Sequence, residues 1–240
     1  MARPALGRIP DPPDSRDYLW RQRVLQQAIP LPKAFRVRTC GPVLNQGVKP
    51  WCVAYSSASM KMVEEWREHK RWPNFDEAWL YGLCKQQDGS PHEDGTNLRT
   101  ALSIIRDKGY RSRGTLVRAK PQAGPDTSYK ISNFVRLASQ RQIKEAIKTA
   151  GPVTFGMTVD DGIFNPVEGR IPEPHPKPGP PEGHAMLATG WDDDLEAFRI
   201  KNSWGYDWGD KGFAWMPYSW FDTYNDWDAW KAMDVPDAPG

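Results

Sequence analysis

Near residue 130 the hydrophobic pattern of this chain changes its period, and that change limits the architectures open to it. Before that point apolar residues recur at helical spacing. Residues 52–69 (CVAYSSASMKMVEEWREH) place Val53, Met60, Val63 and the edge of Trp66 on one stripe, with Lys61, Glu64, Glu65 and Arg67 expected on an outer, solvated face. This helix should stop before Pro73. Shorter helices are expected over 76–86 and 96–108, the second closed by Gly109 as a left-handed cap. Another is expected over 139–149, where Ser139 and Gln142 stand as a capping box, before Gly151-Pro152 ends it. Beyond it come strand-like runs at 153–159, 185–191, 197–202 and 212–216, separated by turn-forming residues. The first half thus reads as helical and the second as mostly β. Residues 1–33, rich in Pro, Arg and Asp, should hold little regular structure. Residues 171–181 carry six prolines in eleven positions and should be stiff and polyproline-like. No internal repeat is visible.

Hydrophobic residues make up 39% of 240, enough for one large or two small cores, so a soluble, two-lobed globule is expected. A formal net charge of +2 speaks against nucleic acid or an anionic membrane as partner. No apolar run approaches the ~18 to 20 residues that a bilayer requires, and the first ten residues lack the apolar centre of a secretory signal. Cytoplasmic residence is the expectation, unless a signal has been trimmed. The charges are nevertheless segregated. Residues 1–39 carry eight Arg or Lys against three Asp, and the last twenty carry five Asp against Lys231 alone. Docking of one end on the other would produce this pattern, and so would two solvated tails.

The chemistry begins where Cys52 opens its helix. Unpaired N–H groups and the positive end of the helix dipole favour a thiolate there. Six residues upstream, Gln46 can bring its side-chain amide beside the Cys52 N–H as an oxyanion hole. His184 lies 132 residues after Cys52 and Asn202 lies 150 after, supplying a base and an amide to orient it. The expectation is a pre-ionised thiolate and imidazolium pair, with Trp204 and Trp208 shielding the His184–Asn202 bond. Attack on a carbonyl, protonation of the leaving amine by the imidazolium and release of the thioester by water would follow. Singly these residues are ordinary: a small buried Cys, a structural His, a turn at Asn-Ser-Trp-Gly. Together, with Gln46 at its offset, they form a constellation. His69, in a charged helix end, His92, in a polar loop, and His175, among prolines, are poorer bases. Cys40 and Cys84 are either joined or two buried thiols. With no Cys-x-x-Cys and no His pair at ligand spacing, neither a zinc site nor a cofactor is expected.

From about Phe35 to Tyr218 the chain resembles the papain-like (C1-type) cysteine peptidase family. Gln46-Gly47 to Ser56 is similar to the family's nucleophile segment, and Gly183-His184-Ala185 to its histidine strand. Lys201-Asn202-Ser203-Trp204-Gly205 and on to Phe213 is similar to its asparagine and tryptophan segment. The Cys-to-His and Cys-to-Asn separations fall in the family's window of about 130–150 residues. Asp94-Gly95-Thr96-Asn97 is similar to the glycine pair whose backbone binds extended substrate. The resemblance implies an α+β, two-lobed fold: a helical left domain, a β-barrel right domain and the active-site cleft between them. Its divisions would be an extension over 1–33, a left domain over 34–133 with the nucleophile, and a right domain over 134–240 with His and Asn. It further implies a monomeric thiol peptidase without cofactor, acting on peptide or protein substrates. Cys52, His184 and Asn202 would be catalytic, Gln46 the oxyanion donor, and Gly95, Thr96, Gly183 and Trp204 the substrate-binding residues.

The departures are local. Lys49, Pro50 and Trp51 precede Cys52 and Val53 follows it, where the family has Cys, Gly and Ser before the nucleophile and Trp after it. Thr96 takes the place of the second glycine and is expected to narrow the groove, while Gly183 leaves the neighbouring side pocket untyped. The short extension over 1–33 is expected to take the place of the family's long inhibitory pro-region. It is expected either to cross the cleft or pack on the acidic tail, or else to be a loose leader or a pinned strand. An acyl or peptidyl transferase using the same thioester, and a non-catalytic peptide-binding module, are the alternatives.

Overall fold

The computed structural model describes residues 3–20, 29–117 and 120–233. In chain order these form strand β1 (Ala34–Arg36), the long helix α1 (Cys52–His69), strand β2 (Pro73–Phe75), and helices α2 (Glu77–Gln87) and α3 (Leu98–Lys108). Strands β3 (Tyr110–Val117), β4 (Lys120–Tyr129) and β5 (Asn133–Leu137) follow, then helix α4 (Gln140–Ala150), strand β6 (Val153–Val159) and a 3-10 turn at Asp161–Phe164. The chain ends in β7 (Glu182–Asp192), β8 (Ala197–Lys201), β9 (Phe213–Pro217), helix α5 (Ser219–Tyr224) and β10 (Asp228–Met233). The four expected helices lie within two residues of their places, and their caps explain why. Asp76 accepts from the Trp79 N–H at 3.2 Å and Asn97 from the Thr100 N–H at 2.8 Å. Ser139 Oγ accepts from the Gln142 N–H, while Gln142 Oε1 reaches back to the Ala138 N–H at 2.7 Å, one residue earlier than in an ideal capping box. Gly109 has the expected positive φ, 84°, but with an extended ψ of 167° it is no left-handed cap. Ser139→Ala should therefore lower the unfolding free energy by about 1 kcal/mol, read as a lower urea midpoint at unchanged m-value.

The larger sheet runs β5-β10-β6-β7-β8-β9, with β1 paired to β7 and every pair antiparallel. Among the described residues no pairing joins β9 to β5, so the strands of the half expected as a β-barrel trace an open path. A second sheet, β2-β3-β4, interrupts the half that periodicity reads as helical. Strand β7 is the wall shared by the two cores. Its alternate residues Ala185 and Leu187 join the cluster of Val53, Met60, Leu98, Leu102, Ile105 and Tyr110, whereas Met186 and Ala188 join that of Phe155, Trp191, Phe198, Trp220 and Phe221. A strand buried on both faces reads as one continuous apolar run, which is how 185–191 appears.

Helix α1 corrects one expectation. Lys61, Glu64 and Glu65 do not form a solvated face but are buried, because α1 lies between β6–β7 on one side and α2–α3 on the other. Their charges are paired: Lys61 Nζ sits 2.6 Å from Glu65 and Lys231 Nζ of β10 sits 2.7 Å from Glu64. Cys40, Cys52 and Cys84 are all free and buried, which closes the question of a disulfide. Among the described residues no helix is long and apolar enough to cross a membrane.

Candidate active site

Cys52, the first residue of α1, is fully buried, with the backbone N–H groups of Ala185, Gly7 and Val53 close to its sulfur. His184 lies on β7, one residue from that contact, and its Nε2 is 2.8 Å from Asn202 Oδ1. The same oxygen accepts the Ser203 N–H at 2.8 Å, which sets the orientation of the amide. An amide oxygen only accepts, so Nε2 carries the imidazole proton and Nδ1, which has no hydrogen-bond partner, is the basic nitrogen. Trp204 stacks on the imidazole with centroids 4.6 Å apart, and Trp208 stands edge-on to Trp204 at 5.8 Å. The expected indole cover is in place. Ser203 Oγ donates to Gln46 Oε1 at 2.6 Å, so the Gln46 Nε2 donors point the other way, to Lys49 O at 2.7 Å and Ala5 O at 3.0 Å.

The Ala5 carbonyl belongs to the N-terminal extension, which crosses the site as a strap. The N–H groups of Gly7 and Arg8 donate to Gly183 O at 3.1 and 2.9 Å; Thr96 N–H donates to Gly7 O at 3.0 Å and Ile9 N–H to Thr96 O at 2.8 Å. Arg8 and Thr96 form a parallel bridge. The backbone groups of Thr96 and Gly183 thus hold an extended peptide, and that peptide is the chain's own. Thr96 does not narrow the groove, since its side chain is buried beside Cys84 and Asp88. Glycine is required where the strap comes closest: a Cβ on Gly95 would lie 2.6 Å from Gly7 O, and one on Gly7 would lie 2.2 Å from Pro50 O.

Charge fastens the strap. Arg8 binds Asp226 at 3.0 Å and Asp228 at 2.5 Å, so the basic start of the chain does dock on the acidic segment near its end; residues 234–240 of that tail lie outside the described residues. Asp11 accepts from the Arg99 N–H at the start of α3 and from Trp230 Nε1 at 2.9 Å. Burial, then the neighbouring Asp228, push the Asp11 carboxyl up to about 7. Arg99 grips Asp17 through two hydrogen bonds of 2.9 and 2.7 Å, and Trp20 is sunk in the larger-sheet core. Where it is described, the extension is pinned and is no loose leader: it makes isolated parallel bridges, Arg8 with Thr96 and Leu19 with Arg136.

Its presence overturns the expected ion pair. Burial pushes the Cys52 thiol up to about 11, outweighing the opposing influence of the nearby backbone N–H groups. It drives His184 down to about 4 against the opposing Asn202 bond. Under the strap the resting pair is therefore thiol and neutral imidazole, not thiolate and imidazolium. The helix-terminus argument omitted desolvation, the larger effect here.

Sequence reasoning missed several participants. Trp51, one of the departures, carries Lys49 over its ring at 4.1 Å and packs on Tyr81 at 5.5 Å; the Tyr81 hydroxyl accepts the Gly95 N–H at 3.0 Å. Ser203 had a visible signal, its place in Asn-Ser-Trp-Gly. Ala5, Gly7 and Arg8 had none beyond the charge asymmetry of the two ends. Beyond Arg3 and Pro4 a groove of about 790 Å³, flanked by Phe164, Trp204 and Trp208, stays open.

Residues 76–224 match the family model described as papain family cysteine protease, a stretch that contains His184 and Asn202 and begins after the helix bearing Cys52. An uncharacterized peptidase C1-like protein of Acanthamoeba polyphaga mimivirus is 25% identical over 239 residues, covering 89% of this chain and 74% of that protein. The thiol protease aleurain of Arabidopsis thaliana is 32% identical over 110 residues, 40% of this chain and 31% of its own length. Among solved structures, xylellain, a cysteine protease from Xylella fastidiosa, superposes with a TM-score of 0.77 at 24% identity, over 98% of this chain and 99% of that one. Procathepsin B of Trypanosoma congolense superposes with a TM-score of 0.75 at 17% identity, over 96% and 87%. At those identities the likeness is one of fold.

Proposed function

This chain belongs to the papain family of cysteine proteases, and we propose that it is a thiol-dependent peptidase held latent by residues 4–11. One observation carries the reading: the Gln46 amide already binds a peptide carbonyl, while Thr96 and Gly183 bind the flanking backbone. A groove that seats an extended peptide over a cysteine and a tautomer-fixed histidine has the parts for acyl transfer from a peptide.

With the strap withdrawn, water reaches Cys52 and His184 and removes the desolvation that keeps both neutral. Nδ1 of His184 then takes the thiol proton, and the thiolate attacks a substrate carbonyl lying where Ala5 O now lies. The developing oxyanion receives the Gln46 Nε2 hydrogen bond. The imidazolium, held in plane by Asn202 and covered by Trp204, protonates the departing amine. A water activated by Nδ1 then cleaves the thioester and regenerates the thiol. No metal or cofactor enters these steps, and the chain acts as a monomer on peptide or protein substrates.

An amine in place of water would make the same site a transferase, and loss of turnover would leave a peptide-binding module. The test uses Gly7→Leu, in which a side chain at position 7 collides with Pro50 and unseats the strap. Incubated with a peptide mixture, this variant should generate new termini that Cys52→Ala does not. Added methylamine should leave the products as free acids. Predominant methylamide products would replace hydrolysis by transfer, and intact peptides with no Cys52 thioester by mass would leave the binding module.

A further inference from the structure

The strap also shows what kind of side chain the groove selects. Arg8 enters a side pocket beside the Thr96 and Gly183 backbone groups, and its side chain is only 1% exposed. Its neck is glycine on both sides: a Cβ on Gly156 would lie 2.7 Å from Arg8 Cγ, and one on Gly183 would lie 3.1 Å from Arg8 Cδ. At its end three acceptors fan around the guanidinium. NH1 donates to Asp226 Oδ2 at 3.0 Å, and NH2 to the Asp226 carbonyl at 2.6 Å and to Asp228 Oδ2 at 2.5 Å. The pocket is built, not incidental. Asp226 is aimed into it by the Thr158 N–H at 3.0 Å and the Thr158 hydroxyl at 2.7 Å, and Asp228 is only 2% exposed.

We propose that this pocket is the substrate-selecting subsite of the peptidase and that it takes an arginine side chain. The proposal rests on the peptidase reading above and adds the substrate class to it. When the strap leaves, two carboxylates lose the guanidinium paired with them at the bottom of a neck flanked by Gly156 and Gly183. A substrate that places arginine on the same Thr96 and Gly183 rungs restores those bonds; an aliphatic residue leaves both carboxylates without that partner. The three acceptors suit a planar fork with donors on separate nitrogens, so arginine should be preferred over lysine, a single point charge. Asp11, whose backbone N–H donates to Asp228 Oδ2 at 3.2 Å and whose carboxyl is a neighbour of Asp228, leaves with the strap and does not compete for the incoming cation.

The test is carried out on the full chain bearing Gly7→Leu and, separately, Arg8→Ala. N-acetylated peptide amides, identical except that arginine or its neutral isostere citrulline is stepped through each position, are compared both for binding by calorimetry and for kcat/KM. At one position arginine should be favoured over citrulline by about 100-fold or more, with Asp226→Asn reducing that preference to within a few-fold. Gly156→Ala supplies a steric version of the same loss, since its methyl would stand 2.7 Å from the position of Arg8 Cγ and leaves both carboxylates in the sequence. Turnover with equal rates for arginine and citrulline at every position would overturn the pocket assignment and leave the peptidase standing. Arginine-selective binding without any turnover would overturn the peptidase reading and leave the pocket. Neither selectivity nor turnover would overturn both.

Discussion

Gly7→Leu is expected to raise the rate of Cys52 alkylation by iodoacetamide at pH 6 by about 10²- to 10³-fold. In the wild-type chain the thiol, pushed up to about 11 by burial, is ionised to about one part in 10⁵ at that pH. It also lies beneath the strap. A side chain at position 7 cannot seat, because its Cβ would stand 2.2 Å from the Pro50 carbonyl oxygen, which belongs to the body of the protein and cannot retreat. Opening lets the imidazole and thiol exchange their proton, so the thiolate fraction climbs by several decades. Part of that gain is lost because a less basic thiolate is a poorer nucleophile. The pH profiles carry the sign. A thiol with a raised pKa deprotonates only as pH rises, so wild-type labelling should climb toward alkaline pH. Labelling of the variant should stay high into the acid range until His184 and Cys52 lose their shared proton arrangement. Equal labelling of both chains at pH 6 would show that the strap does not close the site in solution.

His184→Ala and Cys52→Ala, each placed in the opened Gly7→Leu chain, should lower kcat/KM by about 10⁴-fold or more, and the pair together should cost little beyond either one. Nucleophile and base act as one unit, so removing the second after the first has little left to remove. Asn202→Ala should fall short of these, because Nδ1 remains a base while the proton on Nε2 is no longer pinned by an acceptor at 2.8 Å. Steady-state rates with one arginine-containing and one aliphatic peptide check this. Additive losses in the double variant would mean that His184 and Cys52 do not share a step.

Much of the machinery was legible because its signals are local or motif-borne. Cys52 at a helix start, Gln46 six residues earlier and Asn202-Ser203-Trp204 each depend on near neighbours, and helix caps such as Asp76, Asn97 and Ser139 announce themselves within four residues. Strands whose character is set by distant partners were hidden. β10 (DAWKAM) carries Asp228 and Lys231, which the sequence shows only as charges of an acidic end; both are buried against partners, Arg8 and Glu64, that lie 220 and 167 residues away. β4 contains Pro121 and Gly124 and pairs on one side only, with β3, an edge position where proline is tolerated and alternation is weak. The buried charges of α1 were misread for the same reason. The state of the Cys52–His184 pair was misjudged because its determinant, a segment from the first eleven residues lying over it, is invisible to any reading of residues 46–56 alone.

The anchoring of the strap by Asp17 and Trp20 has a kinetic meaning. A plug tied to its own socket by a short linker competes at an effective concentration on the order of millimolar, whatever the concentration of the protein. Dilution cannot switch such an enzyme on, and crowding cannot switch it off. A single cut between Asp11 and Asp17 would change the order of the reaction: the plug would become a bimolecular inhibitor, lost on dilution and titratable by any stronger basic peptide.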